Sequence, residues 1–319
     1  MTTTQTQGVN ILVIAPLPPA LLAQLEATFT VHNWWLAEDR DELLKQVAPT
    51  IRGVMTRSHL GIDAKMIQAL PALEIISIFG VGLDATDVEA AHSRDVIVAH
   101  TPNVLSGCVA DTALGHMLNV ARRYHVADRY VRDGAWLQEP FPSASRVHGK
   151  VCGIVGLGRV GKEVAKRAAA FDMTIHYYHP RETDDGYQRY ESLVELAKSS
   201  DFLVLTLPGG AKTDRIINAE ILSALGADGI LVNVARGSVV DTDALITALS
   251  NKTIFGAGLD VFDDEPNVPE ALLQLDNVLL TPHLASNTQE TRTEMAQLAL
   301  DNITGYFQRG QVLTPVQRR

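Results

Sequence analysis

Cysteine is nearly absent from this chain. Only two occur in 319 residues, Cys108 and Cys152. Both sit in apolar contexts, so they read as buried thiols rather than a disulfide or a metal pair. Cations are outnumbered as well: 27 Lys and Arg against 37 Asp and Glu leave a formal net charge of −10. That balance argues against a nucleic-acid surface or an anionic-membrane surface. It is compatible with a small anionic substrate, which responds to local charge. No uninterrupted apolar stretch approaches the ~20 residues of a membrane span, and the opening Met1–Gln7 is polar, without a signal-peptide core. These absences predict a soluble, cytoplasmic protein. There is no internal repeat and no low-complexity tract.

What the chain does have is apolar content, 46 % of residues, enough for two cores at this length. The first hundred residues alternate strand and helix signals. Apolar runs at Ile11–Ile14, Phe29–Val31, Gly53–Thr56, Ile75–Phe79 and Val96–Val98 read as strands. Pro19–Thr28, Asp39–Val47 and Asp63–Leu70 read as helices between them, and a further helix is expected from Asp84. Such alternation predicts a parallel α/β unit. Thr101-Pro102-Asn103 breaks the pattern, and one amphipathic helix is expected from Ser106 to Tyr130. A second α/β series follows, with strands at Val151–Val155, Thr174–Tyr178, Phe202–Leu205, Gly229–Asn233, Gly256–Leu259 and Val278–Leu280. The last helix, Thr288–Phe307, has no place in that sheet and is expected to return to the first domain. The second domain would then be inserted into the first, with a cleft between them.

Between the strand ending at Val155 and a helix read over Lys162–Phe171 runs Gly156-Leu157-Gly158-Arg159-Val160-Gly161. A strand, a G-x-G-x-x-G turn and a helix make a dinucleotide pyrophosphate site. The first glycine permits the turn, the second lets the pyrophosphate approach, and the third lets helix and strand pack closely. Free N–H groups and the helix dipole then hold the anion. The ordinary alternative is a glycine-rich turn without a ligand. About 20 residues on, an NAD site carries an acid that binds the ribose hydroxyls. Here the chain reads Tyr178-His179-Pro180-Arg181. A neutral tip followed by a guanidinium favours a 2′-phosphate, so NADP(H) is expected over NAD(H).

Three ionisable residues fall just past apolar strands: Arg236, Glu265 and His283. In an open parallel sheet, ligands bind beyond the carboxyl ends of the strands, so all three can converge on a cofactor. Their chemistry suits hydride transfer to a ketone beside a carboxylate. Imidazolium can protonate the nascent alkoxide, a carboxylate beside it stabilises the charged ring, and a guanidinium grips the substrate carboxylate. Singly, each has a structural reading: a histidine in a loop, a solvated acidic turn, a surface arginine at a helix start.

Four separated motifs carry a resemblance. They are the glycine run, Asn233-Val234-Ala235-Arg236-Gly237-Ser238-Val239-Val240-Asp241, Gly258-Leu259-Asp260-Val261-Phe262-Asp263-Asp264-Glu265-Pro266, and Thr281-Pro282-His283. In this order they resemble the D-2-hydroxyacid dehydrogenases over nearly the whole chain. Phe79-Gly80-Val81-Gly82-Leu83-Asp84 and Leu207-Pro208-Gly209-Gly210 are similar to the glyoxylate/hydroxypyruvate and hydroxyphenylpyruvate reductase branch.

The resemblance implies two doubly wound parallel-sheet domains: a Rossmann nucleotide domain, 103–286, inserted into a flavodoxin-like substrate domain, 1–102 and 287–319. It implies that Arg236 binds the substrate carboxylate and carbonyl, that His283 is the acid/base, and that Glu265 orients it. The backbone N–H groups of Val81 and Gly82, at a helix start, and Ser58 would contact the substrate. Cofactor contacts are implied for the six residues of the glycine run, His179, Arg181, Leu207, Pro208, Thr213, Val234, Ala235, Asp260 and His283. Asp260 would support the nicotinamide end. Trp136 resembles a residue that reaches across a homodimer.

Two places depart from the family pattern: Asp172 stands where glycine is commoner, and Ser106-Gly107-Cys108 is less acidic than usual. The expected activity is NADPH-preferring reduction of small 2-keto acids to D-2-hydroxy acids, glyoxylate and hydroxypyruvate first and arylpyruvates second. Substrate selection is expected from the first domain, around Arg57-Ser58-His59-Leu60 and Val81. From another class, relatives of this fold act as nucleotide-sensing co-repressors. The intact Arg–Glu–His set favours catalysis.

Overall fold

Two all-parallel sheets organise the chain. The structure, a computed structural model, describes residues 8–183 and 185–318, so the polar start Met1–Gln7 lies outside the described residues. It divides into two compact units, Met1–Leu105 with Gln289–Arg319, and Ser106–Thr288.

In the first unit β1 (Asn10–Val13), β2 (Thr30–Asn33), β3 (Ile51–Arg57), β4 (Ile75–Phe79) and β5 (Ile97–Ala99) pair in the order β2-β1-β3-β4-β5. All five residues of β4 are buried, as expected of a central parallel strand covered on both faces. Of the helices between these strands, α1 (Pro19–Thr28) starts after Pro18 without a side-chain cap, and the other three start on aspartates. Asp39, Asp63 and Asp87 accept hydrogen bonds from the N–H groups of Glu42, Met66 and Ala90, and so cap α2 (Arg40–Val47), α3 (Ala64–Ala69) and α4 (Val88–Ser93). Each such cap is worth about 1 kcal/mol. The helix expected from Asp84 therefore begins later. Leu83–Thr86 instead closes a turn, the Thr86 N–H donating to the Leu83 carbonyl. Thr86 bridges Ile62, with the N–H groups of Ile62 and Asp87 donating to the carbonyls of Ala85 and Ile62. No helix start adjoins Val81 and Gly82.

The last helix, here α12 (Gln289–Arg309), packs on this sheet, as its sequence position implies. Buried Ser77 of β4 donates its hydroxyl to the Ala299 carbonyl at 2.8 Å. Fully buried Asn302 accepts from the N–H groups of Leu313 and Thr314 and donates to the His100 carbonyl. The chain end is thereby stitched to the end of β5.

In the second unit β6 (Val151–Val155), β7 (Thr174–Tyr178), β8 (Gln188–Tyr190), β9 (Phe202–Leu205), β10 (Ile230–Asn233), β11 (Gly256–Leu259) and β12 (Val278–Leu280) pair as β12-β11-β10-β9-β6-β7-β8. This is the Rossmann order with one strand added at an edge. The single helix expected over Ser106–Tyr130 is broken into α5 (Ser106–Arg122) and α6 (Tyr124–Arg132). Arg123 takes a left-handed conformation, φ 54°, and the Asn119 carboxamide oxygen accepts from the His125 N–H. The cause is the end of the apolar stripe: Val109, Ala113, Met117, Val120 and Ala121 are buried, whereas α6 buries nothing.

Asp172, where the resemblance implies a commoner glycine, has φ 55° in the turn after α7 (Arg159–Ala169). That left-handed backbone favours glycine, and Asp is among the few other residues that tolerate it. Of the two free thiols, Cys152 is buried and its pKa is pushed up to about 12 by burial. Cys108, expected to be buried, is only partly so. No helix among the described residues is long and apolar enough to cross a membrane.

Candidate active site

The glycine run bridges β6 and α7. Gly156 has φ 98°, which a side chain would strain, and its N–H donates to the Tyr178 carbonyl at 2.8 Å, tying the loop to β7. Gly161 lies inside the first turn of α7, where a Cβ would come within 2.3 Å of the Gly156 carbonyl oxygen. Gly158 differs: a Cβ there would meet nothing within 4 Å, and as N-cap it offers no side chain to the first turn. The result is an open approach to uncapped N–H groups at an eleven-residue helix start. A dinucleotide pyrophosphate fits this cradle. Leu157 is buried beneath it, while Arg159 and Val160 reach the surface.

At the end of β7 the His179 carbonyl accepts from Arg189 Nε at 3.2 Å, and the Pro180 carbonyl accepts from the same guanidinium. This holds the tip that bears His179 and Arg181. Arg181 is exposed and, among the described residues, pairs with no acid. Arg189, on a short polar strand without an apolar run, escaped the sequence reading.

The remaining candidates follow the carboxyl ends of β9 to β12. Leu207 and Pro208 begin the loop after β9, where the Thr213 hydroxyl donates to the Pro208 carbonyl at 2.8 Å. Val234 and Ala235 are buried after β10, and buried Asn233 shapes their turn. Its amide donates to the Arg236 carbonyl and its oxygen accepts from the Ala235 N–H. Arg236 is half-buried and donates to the Ala235 carbonyl at 2.7 Å. Gly237 must lack a side chain, because a Cβ would sit 1.9 Å from the Phe262 carbonyl carbon. That close approach packs the Arg236 turn against the loop carrying Glu265.

His283 and Glu265 meet. His283 Nδ1 lies 2.7 Å from Glu265 Oε2, and Glu265 Oε1 accepts from the Phe262 N–H at 3.1 Å. The pair keeps 36 % and 30 % of its side-chain surface exposed, so a reactant can reach it. His283 also has φ 48°, a costly backbone for a non-glycine residue, with its N–H donating to the Asp260 carbonyl.

In the other unit, the turn after β4 is tied down by Gly80 and Thr101, which exchange hydrogen bonds, and by the His100 ring against the Val81 carbonyl. The N–H groups of Val81 and Gly82 have no hydrogen-bond partner among the described residues. Ser58 packs against this turn, its hydroxyl 2.4 Å from where a Gly80 Cβ would stand.

Residues 114–285 match the D-isomer-specific 2-hydroxyacid dehydrogenase NAD-binding domain. The chain is 43 % identical over 311 residues to the hydroxyphenylpyruvate reductase of Plectranthus scutellarioides, covering 97 % of this chain and 99 % of that one. It is 41 % identical over 311 residues, with the same coverage, to a glyoxylate/hydroxypyruvate reductase of Arabidopsis thaliana. An NADPH-dependent glyoxylate/hydroxypyruvate reductase of Sinorhizobium meliloti, solved with NADP and malonate, superposes with a TM-score of 0.90 at 39 % identity. That superposition covers 98 % of this chain and 99 % of the other. The chain belongs to the D-2-hydroxyacid dehydrogenase family.

As a member of that family it is an NAD(P)-dependent oxidoreductase, and its histidine loop is held in a way the motifs did not show. Asp260 is fully buried. Oδ1 accepts from the Thr281 hydroxyl at 2.5 Å and the Leu284 N–H at 2.9 Å, and Oδ2 accepts from the Ala285 N–H at 2.9 Å. A carboxylate so committed clamps the His283 loop from beneath. Since Thr281 donates to Asp260, it accepts in turn from His116 Nε2 at 3.0 Å. His116 is 3 % exposed on α5, at the helical spacing of Ala113, Met117 and Val120. A histidine on an apolar face was the only signal available.

Burial lowers the His116 pKa, against the opposing field of Asp260. The folded value therefore lies below the unfolded one, near 6.5. This contribution to stability is present above about pH 6.5 and is lost as pH falls through the folded value. His116→Asn, which keeps a donor but cannot titrate, should flatten that part of the acid decline. Urea midpoints that fall in parallel for both proteins below pH 6.5 would refute it.

Proposed function

We propose that this dehydrogenase reduces small 2-keto acids to D-2-hydroxy acids with NADPH, NADH serving less well. Glyoxylate and hydroxypyruvate are the leading substrates. The carrying observation is the His283–Glu265 contact at 2.7 Å beyond the ends of β11 and β12. NADPH, when bound along the glycine run, supplies the hydride. Arg236 holds the substrate carboxylate, and its guanidinium polarises the neighbouring carbonyl. As the carbonyl carbon is reduced, its oxygen becomes an alkoxide, and the His283 imidazolium gives it a proton from Nε2. Glu265 holds Nδ1, fixing the ring's orientation.

The 43 % identical hydroxyphenylpyruvate reductase supports arylpyruvates as a second substrate class. A co-repressor-like binding protein would bind nucleotide without turnover. NADP preference is supported by the neutral His179 tip and exposed Arg181, and by the relative solved with NADP. Steady-state assays of glyoxylate, hydroxypyruvate and hydroxyphenylpyruvate with both cofactors test all of this. Arg181→Ala should lower the NADPH/NADH ratio of kcat/KM by roughly tenfold, the worth of one charge-assisted hydrogen bond. An unchanged ratio removes Arg181 from 2′-phosphate recognition.

We also propose a homodimer. Trp136 and Leu137 are 65 % and 88 % exposed beside α6, with Tyr124 and Val131 also uncovered, a surface suited to a second copy. Sedimentation velocity reads this directly. The two free thiols suit a cytoplasmic setting.

A further inference from the structure

Burying an imidazole on an apolar helix face costs free energy unless its polar atoms are bonded. His116 is so buried on α5, among Ala113, Met117 and Val120. A leucine would fill the same place without desolvating a polar ring. The helix packs across β10, β11 and β12, and its approach depends on Gly258 of β11. A Cβ at Gly258 would fall 2.8 Å from the His116 Cβ and 2.9 Å from Nδ1. With that space open, the ring reaches Thr281, the residue after β12, whose own N–H donates to the Leu259 carbonyl.

Proton positions follow from the partners. Burial lowers the His116 pKa, so near pH 7 the ring is neutral and carries one N–H. Both Asp260 carboxylate oxygens accept hydrogen bonds, so the Thr281 hydroxyl donates to Oδ1, and its oxygen accepts from His116 Nε2–H at 3.0 Å. Nδ1, against the β11 backbone, has no donor among the described residues. The ring is thereby committed to one tautomer and one acceptor. From Thr281 the chain of bonds runs to Asp260, which holds the N–H groups of Leu284 and Ala285 on its carboxylate and that of His283 on its carbonyl. These bonds maintain the His283 backbone at φ 48°. Every residue in the chain of bonds belongs to the unit Ser106–Thr288.

We infer that His116 is a positioning residue for the proton transfer: its Nε2–H fixes the Thr281 hydroxyl on Asp260, and Asp260 holds the backbone that aims the His283 ring. The inference rests on the proposed reduction of 2-keto acids and adds a residue that acts through others. Without the Nε2–H donor, the Thr281 hydroxyl can turn, the Asp260 carboxylate loses a fixed direction, and the His283 ring drifts from Glu265. Such loosening should cost roughly tenfold in kcat, against about 10²-fold for a 1 Å displacement of reacting atoms. Cofactor binding depends on the glycine run, so the NADPH KM should stay within about twofold.

The test sets His116→Leu beside His116→Gln, whose amide nitrogen can stand near the Nε2 position, in steady-state reduction of glyoxylate by NADPH. The leucine variant should lose roughly tenfold in kcat with KM nearly unchanged, and glutamine should recover most of that loss. Thr281→Val should show a similar fall. Adding His116→Leu to it should cost less than about twofold more, because the link is already cut. Equal losses with leucine and glutamine, or losses that multiply in the double variant, overturn the inference. If His116→Leu does not fold, Thr281→Val decides: a tenfold fall supports the inference and an unchanged kcat overturns it. A second readout needs no turnover. Amide hydrogen exchange at Leu284 and Ala285 should quicken roughly tenfold in His116→Leu while Leu203 and Val204 in β9 keep their protection. Unchanged exchange at Leu284 and Ala285 overturns the positioning role. Wild type that turns over no keto acid would sink the proposed reduction instead, and the exchange rates still decide whether His116 holds the loop.

Discussion

Replacing His283 with alanine should lower kcat for glyoxylate reduction at least ~10²-fold, within the 10²–10⁴ range for a positioned general acid. The expectation follows from geometry. The ring stands 2.7 Å from Glu265 and is one-third exposed, so it is oriented by a carboxylate and open to a reactant. Without it the alkoxide must take its proton from water, a far weaker acid. The loop itself should survive, because its clamps are backbone groups: the His283 N–H on the Asp260 carbonyl, and the Leu284 and Ala285 N–H groups on the Asp260 carboxylate. A melting temperature close to wild type and retained NADPH binding would confirm that only chemistry was removed. A kcat within tenfold of wild type would take His283 out of the proton transfer.

Asp260→Ala should do the reverse, damaging the fold first and activity as a consequence. Three donors converge on that carboxylate, and the residue is 0 % exposed. Truncation strands the Thr281 hydroxyl and two N–H groups away from water, at roughly 1–3 kcal/mol for each group that finds no new partner. A total of about 3–5 kcal/mol is expected after partial relaxation. For a unit of this size that is a fall of about 6–20 °C in melting temperature. Asp260→Asn should also be costly, because its NH2 group must face at least one of the same donors. The strained φ of 48° at His283 has little else to maintain it, so kcat should fall in both variants. Unchanged melting would show that the clamp contributes nothing, and a stable variant with weakened cofactor binding would point instead to the cofactor contact implied by the resemblance.

Much of this was legible along the chain because it is local. A glycine run between an apolar strand and a helix is a property of a dozen consecutive residues, and the parallel strands are short apolar runs with polar punctuation. Arg236, Glu265 and His283 could be named because each ends such a run. The misreadings share another cause. The helix expected over Ser106–Tyr130 breaks where the buried stripe stops, and the helix expected at Asp84 waits for the Asp87 cap. Propensity extends an element, but packing and caps end it. The β8 strand has three residues and no apolar pattern, so it exists only as an edge partner of β7.

Residue order alone was enough to establish the two α/β series and to point to the nucleotide turn and the ionisable trio, since backbone preference and hydrophobic periodicity act over neighbours. Which groups meet was settled only by folding. His116, Asp260 and Thr281 form one hydrogen-bonded chain although α5, β11 and β12 supply them separately. Arg57 and Arg292 share a cavity although most of the sequence lies between them. Charge and hydrogen bonding depend on distance through space, and parallel strand order decides which distant residues that distance joins.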